Sequence, residues 1–246
     1  MAPQRVYIGP HLDDVVISCG GTLHARCCSS DHSEPPLVVT VFSRSNYTRE
    51  GLGNEREVTP LRQQEERTVL AELGIEPVFL DLPECPLRGY TIQDPLDYPK
   101  TLKPELDAKT VEQVAERLAP LLRNCAAVYL PLGLGTAAHV DHRLCRAAAL
   151  RAQQRFPRIA VWFYEDVPYI VGPVREALKR LPNVEQQQTG IDLDAKLELI
   201  RGYRSQPIDA WENMIREQAG QPPVERTWRV QDSRVLTSLA DPAASP

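Results

Sequence analysis

The chain has 246 residues, with 28 basic against 33 acidic side chains and a formal charge of −5. That length suits one well-buried domain spanning the whole chain, and the mild acidity, without any Lys/Arg-rich block, excludes nucleic acid or an anionic membrane surface as the expected partner. No basic segment followed by an apolar one opens the chain and no apolar run reaches the roughly 18 residues of a membrane span, so a cytoplasmic protein acting on a small molecule is expected, with homo-oligomerisation left open.

Residues 6–9 form an apolar strand that ends abruptly in His11-Leu12-Asp13-Asp14. Residues 15–28 then carry apolar side chains at helical spacing, with Gly20-Gly21 permitting close packing rather than ending the helix. A β-branched run at 37–42 predicts a second strand with a polar exit, Ser43 to Tyr47. Thr59-Pro60 reads as a helix start, a hydroxyl cap before a proline, and Leu61, Val69, Leu70 and Leu73 supply the apolar face before Gly74. A third strand is expected at 78–82, followed by a proline-rich loop at 83–104 of the kind that contributes to binding surfaces.

Val111, Val114, Leu118, Leu121 and Leu122 mark the next helix, and 126–132 a buried strand. Gly133-Leu134-Gly135-Thr136 turns the chain into an Ala-rich helix at 139–154, whose first turn is expected to carry His139 and His142 on one side. A fifth strand at 159–164 ends in Glu165-Asp166. The pattern weakens from Gly190, with helical spacing at 193–203 and a late strand at 224–230, and the tail from Ala240 reads as frayed. Strands alternating with helices predict an α/β fold, a Rossmann-like three-layer sandwich with a mostly parallel sheet.

Two clusters, His11-Leu12-Asp13-Asp14 and His139-Val140-Asp141-His142, each follow an apolar strand and together hold three of the five histidines. His11, Asp14 and His142 form a two-histidine, one-carboxylate set of the type that binds catalytic Zn2+ or another divalent metal while leaving room for water. Asp13, adjacent to Asp14 and so on another helical face, is the candidate general base. His139 is placed to stabilise a developing oxyanion or protonate a leaving group, with Asp141 holding that imidazole and keeping its pKa high.

Taken singly, each cluster reads at least as well as a helix cap; their pairing at two strand ends favours a composite metal site. His24 and His32 lack such company and read as structural or exposed, and the six cysteines lack paired CxxC spacing and are assigned no chemistry. Arg44 and Arg62 are candidate substrate contacts, with an exposed salt bridge the equal alternative for either. Glu84, Arg88, Glu165 and Asp166 also sit at strand exits or in the long loop, and Tyr47, Tyr90 and Tyr169 are candidate stacking surfaces for a sugar. A nucleotide-binding module would need a glycine-rich phosphate turn, which Gly9-Pro10-His11 does not supply. A catalytically silent metal-binding protein would need neither Asp13 nor His139.

Pro10-His11-Leu12-Asp13-Asp14-Val15 resembles the [A/P]-H-P-D-D-E motif of the PIG-L/LmbE-like zinc-dependent N-acetylglucosaminyl deacetylases, and His139-Val140-Asp141-His142 resembles their H-x-D-H. Arg62-Gln63-Gln64-Glu65 followed by Leu73-Gly74 is similar to their R-x-x-E helix. The resemblance covers most of the chain. It implies zinc on His11, Asp14 and His142, Asp13 as general base, His139 as oxyanion stabiliser or acid, and Asp141 as its tuner. The implied reaction removes an N-acetyl or other N-acyl group from an amino sugar or sugar conjugate. Leu12 and Val15 depart from the family's proline and acid. PHLDD-type motifs resemble a branch that includes deacetylases of glycosylated natural products, which points away from a simple sugar.

Overall fold

The computed structural model describes residues 4–29, 35–91, 102–134, 139–167 and 172–231. The first half of the chain runs through β1 (Gln4–Gly9), α1 (Asp14–Cys27), β2 (Leu37–Thr40), a short hairpin of β3 (Tyr47–Thr48) and β4 (Gly51–Leu52), α2 (Glu55–Ala71) and β5 (Val78–Phe79). A 3-10 turn (Cys85–Arg88) then leads towards α3 (Pro104–Leu122) and β6 (Cys125–Pro131). The remainder comprises α4 (Val140–Gln153), β7 (Ala160–Tyr164), α5 (Gly172–Arg180), β8 (Val184–Gly190), α6 (Leu193–Ile200), α7 (Ile208–Ala219) and β9 (Val224–Val230).

Seven strands form one sheet in the order β5-β2-β1-β6-β7-β9-β8. The central pairs are parallel, and β9 runs antiparallel to both β7 and β8. Central parallel strands are covered on both faces and so read as continuous apolar runs. Val6 and Ile8 of β1 and Val128 and Leu130 of β6 join one apolar cluster with α3 and α4. Tyr7, Ala127 and Tyr129 face the other way, into a cluster with α1, α2, α6 and α7. The two clusters make the fold the expected three-layer α/β sandwich. No helix among the described residues is long and apolar enough to cross a membrane.

From β1 the chain proceeds to β2 and β5 on one side, whereas β6 and β7 lie on the other. The strand order therefore reverses between β1 and β6, and in open α/β sheets the crevice beyond the strand ends at such a reversal is where ligands bind. Both histidine clusters leave the sheet there.

Several boundaries differ from expectation. Helix α2 begins at Glu55, where the Asn54 side chain accepts the Arg56 N–H at 3.0 Å. Pro60 is thus interior, at the cost of one intrahelical bond, because the Thr59 hydroxyl is engaged by Ser45 instead: it donates to the Ser45 carbonyl and accepts the Ser45 N–H, both at 2.9 Å. His139 caps α4 rather than occupying its first turn. The long loop contains the Cys85–Arg88 turn, its residues 92–101 lie outside the described residues, and so does the tail from Ala240. The hairpin, α5, α7 and β8 were not anticipated; β8 is a Gln-rich edge strand paired only with β9 and needs no apolar alternation.

Gly20-Gly21 does mark close packing. Glu225 of β9 enters α1 there, accepting the N–H groups of Gly21 at 2.9 Å and Thr22 at 2.7 Å while pairing with Lys196 Nζ at 2.7 Å. A Cβ on Gly21 would stand 2.7 Å from Ile191 Cβ. Gly21→Ala should cost about 1–3 kcal/mol by overpacking, read by urea unfolding, whereas Gly190→Ala, with nothing within 4 Å of its added Cβ, should change stability by under ~0.5 kcal/mol.

On α2, the buried Glu66 carboxylate accepts from Tyr203 Oη at 2.5 Å and Thr40 Oγ1 at 3.4 Å. Burial lifts its pKa from 4.5 to about 7. Between those two values the folded chain holds a proton that the unfolded chain has released, so stability falls as pH rises through that window and is level above it. The shift corresponds to roughly 3 kcal/mol. Glu66→Gln should flatten that slope in unfolding measurements taken from pH 4.5 to 7.5.

Candidate metal centre and active site

At the exit of β1 the backbone bends at Asp13, whose φ of 129° is a conformation that non-glycine residues rarely adopt and that costs about 1–3 kcal/mol. Asp13 stands at the N-cap of α1 but makes no side-chain bond to the helix. Its carboxylate instead lies 3.2 Å from Arg62 Nη2, and the same nitrogen donates to the Leu12 carbonyl at 3.0 Å. The capping explanation for this aspartate therefore does not hold. Asp14 Oδ2 accepts the His11 N–H at 2.8 Å and lies 3.1 Å from His11 Nδ1.

At the exit of β6, Gly133 adopts a φ of 56°, and a Cβ there would stand 3.2 Å from the His142 backbone. The Gly133 N–H donates to Asp166 Oδ2 at 2.7 Å, and Asp166 Oδ1 lies 2.7 Å from His142 Nδ1. This leaves His142 Nε2 facing Asp14 Oδ2 at 3.4 Å. His11 has the matching arrangement, with Nε2 3.0 Å from Asp141 Oδ2. Each imidazole thus has a carboxylate on one nitrogen and Asp14 near the other, the pattern by which outer carboxylates orient metal-binding histidines.

Whether these residues fit a metal can be tested on their donor atoms. Donors at 2.0–2.1 Å from a tetrahedral zinc lie roughly 3.3 Å apart, and Asp14 Oδ2 stands 3.1 and 3.4 Å from the two imidazole nitrogens. His11, Asp14 and His142 form one of two groups among the described residues with ligand atoms close enough to share an ion. The other is His11, His139 and Asp141, whose carboxylate is already engaged by the Cys85 N–H and Arg88. The residues present fit a divalent cation at His11, Asp14 and His142.

The electrostatics agree with that assignment. Burial opposes ionisation of Asp14 and Asp141, yet His142 and His11 hold Asp14 below the usual carboxylate range, and His11 and Arg88 do so for Asp141. Burial likewise disfavours charge on His11, but its bonds to Asp14 and Asp141 raise its proton affinity well above normal. That anionic field attracts a cation as readily as a proton. Burial pushes Asp13 well up, against the pull of Arg62. Burial, reinforced by His11, pushes His139 well down.

His139 Nδ1 accepts the Asp141 N–H at 3.1 Å, which assigns the proton of a neutral ring to Nε2. The expected support of His139 by the Asp141 carboxylate is corrected here: that carboxylate accepts from the Cys85 N–H at 2.9 Å, from His11 Nε2 and from Arg88. The ring centroid of His139 lies 4.8 Å from that of His11 and 5.4 Å from that of His142.

The two arginines considered as substrate contacts are each paired with carboxylates of the chain. Arg44 is a half-exposed partner of Glu55 at 2.7 Å. Arg62 is buried, bridging Asp13 to Glu84 Oε1 at 2.6 Å and to Ser45 Oγ at 2.8 Å. Tyr90 is buried with its hydroxyl on Asp107 at 2.5 Å, Tyr47 is half-buried on the hairpin, and Tyr169 lies outside the described residues, as does His32. Glu165 serves Arg175 and Trp228. All six cysteines are free. The partner roles of Asp166 and Arg88 were not read from the sequence; the signal available for Asp166 was its place just after a strand that neighbours β6. Leu12 and Val15, which depart from the family motif, are both buried in the core.

The chain matches the family model PIG-L: GlcNAc-PI de-N-acetylase over residues 6–153. It is 32% identical over 220 residues to the 2'-N-acetylparomamine deacetylase of Streptomyces fradiae, covering 84% of this chain and 74% of that one. Its fold is similar to the zinc-inhibited form of teicoplanin deacetylase Orf2, with a TM-score of 0.73, 21% identity and coverage of 94% of this chain and 100% of that one. It is also similar to the N,N'-diacetylchitobiose deacetylase of Pyrococcus horikoshii, with a TM-score of 0.62, 21% identity and coverage of 92% and 82%. Both histidine clusters fall within the matched segment, and the chain belongs to the PIG-L (GlcNAc-PI de-N-acetylase) family.

Proposed function

We propose that this chain is a metal-dependent hydrolase that removes the N-acetyl, or a related N-acyl, group from an amino sugar within a glycoside or sugar conjugate, with Zn2+ as the metal. The observation that carries the reading is the convergence of His11, Asp14 and His142 beside a carboxylate, Asp13, that caps nothing and is held by an arginine. A relative 32% identical that is a deacetylase of an acetylated amino sugar glycoside supports the substrate class.

A divalent cation bound by His11, Asp14 and His142 would supply Lewis acidity towards the acyl carbonyl and a water. Asp13 takes a proton from the attacking water as its oxygen bonds to the carbonyl carbon. Burial gives this carboxylate the heightened proton affinity that a base needs, and Arg62 fixes its direction. His139, neutral and carrying its proton on Nε2, donates to the developing oxyanion. As the C–N bond breaks, the proton held by Asp13 passes to the nitrogen, giving the free amine and a carboxylic acid, which then loses its proton to solvent. Asp141 and Asp166 touch neither reactant; they orient His11 and His142.

Acetate release should be measured across a panel of N-acetylated aminoglycosides, amino sugars and glycopeptide sugars. Activity should vanish with a chelator and return with zinc, and Asp13→Asn should lower kcat by about 10²–10⁴-fold while zinc content stays stoichiometric. Full activity in Asp13→Asn removes the base assignment; stoichiometric metal with no hydrolysis anywhere in the panel leaves a silent binding protein.

His139→Ala should lower kcat by about 10²–10³-fold with KM and zinc content little changed, whereas His142→Ala should lose the metal itself. Metal analysis beside steady-state kinetics separates the two, and loss of zinc from His139→Ala would move that residue into the ligand set.

A further inference from the structure

Arg88 ends the 3-10 turn between β5 and α3, yet its guanidinium is only 6% exposed. One nitrogen, Nη1, donates to the Pro83 carbonyl at 2.7 Å, and the other, Nη2, donates to Asp141 Oδ1. Its plane stacks over Phe42 with 4.6 Å from the guanidinium carbon to the ring centroid. Asp141 is wholly buried, and its second oxygen receives the Cys85 N–H from the other end of the same turn as well as His11 Nε2. The turn thus grips one carboxylate at both ends, and that carboxylate holds a metal-binding imidazole. By contrast, Asp166, which holds His142, is itself held by the neighbouring Gly133 amide.

We propose that Arg88 is a positioning residue of the metal centre, fixing the Asp141 carboxylate that orients His11 and so setting metal affinity and ligand geometry without touching metal or substrate. The inference rests on the metal reading of His11, Asp14 and His142. A direct role on substrate does not suit a guanidinium with both terminal nitrogens committed and its face covered. The two-pronged contact plus stacking also explains the residue type, since a lysine would offer a point charge without the planar fork or the stacked face. Through this contact the loop segment at 83–91 is coupled to the strand ends that carry the chemistry.

The test measures zinc affinity of metal-stripped full-length protein by chelator competition and the visible absorption of the cobalt-loaded form. Arg88→Met keeps the stem and removes the fork; it should weaken zinc binding about 10–100-fold, the range for outer-sphere partners of metal ligands, and alter the cobalt bands. Arg88→Lys should recover part of the affinity. Arg67→Met is the control, because Arg67 also stacks on a ring, Phe79 at 4.4 Å, but far along α2, and it should leave both readouts unchanged. A folded Arg88→Met with wild-type affinity and spectrum overturns the proposal. Failure of the wild type to bind zinc in a way that His142→Ala abolishes would overturn the metal reading instead. If Arg88→Met does not fold, a double-mutant cycle of Arg88→Lys with Asp141→Asn decides: non-additive losses in affinity are expected, and simple additivity overturns the proposal.

Discussion

Parallel pairing of β1 with β6 sets Val6 opposite Val128 and Tyr7 opposite Tyr129, so the two strands reach the same edge of the sheet side by side. Everything chemical in the molecule hangs on that register. His11 and Asp14 are thereby brought to His142 across more than a hundred residues of sequence. The turns leaving the strands do the fine placement: Asp13 in a strained backbone conformation on one side, Gly133 with positive φ on the other. The strand order reverses between β1 and β6, the kind of place where open α/β sheets take their ligands.

Such a concentration of buried ionisable groups would oppose folding if any were left alone, since an isolated buried charge costs several kcal/mol or more. The solution is division into two linked networks. Around the candidate metal ligands, Asp14, Asp141 and Asp166 are set against His11, His142 and Arg88. Around the candidate base, Arg62 ties Asp13 to Glu84 and Ser45. The first network has the field that favours a cation, and the second keeps a carboxylate next to it from joining the ligand set. Adjacent aspartates can therefore differ in direction of pKa shift, Asp13 upwards by burial and Asp14 downwards by two imidazoles.

What could be read in the sequence follows from how local each determinant is. The central strands, α1, α3, α4 and β9 have apolar patterns imposed by burial on the sheet, and the ligand clusters announce themselves by residue type at strand ends. The start of α2 was misplaced because Thr59-Pro60 carries a local capping signal that a tertiary contact to Ser45 overrides. Nothing in the sequence neighbours of Arg62 tells that Glu84 and Asp13 converge on it. The partner of the Asp141 carboxylate is illegible for the same reason, since His11 is 130 residues away and His139 only two.

Leu12 and Val15, the two departures within the first motif, have a structural meaning. Both side chains are buried, Val15 within the apolar cluster under α1, and the Leu12 carbonyl accepts from Arg62. Val15 sits against the strand end, its Cγ2 2.8 Å from where a Cβ on Gly9 would lie. The two departures from the motif thus lie in buried positions beneath the turn that carries His11 and Asp13. The 83–91 segment reaches the histidine and carboxylate cluster from outside the sheet, through Cys85 and Arg88. The geometry of the His11 imidazole is therefore tied to this loop through the Asp141 carboxylate.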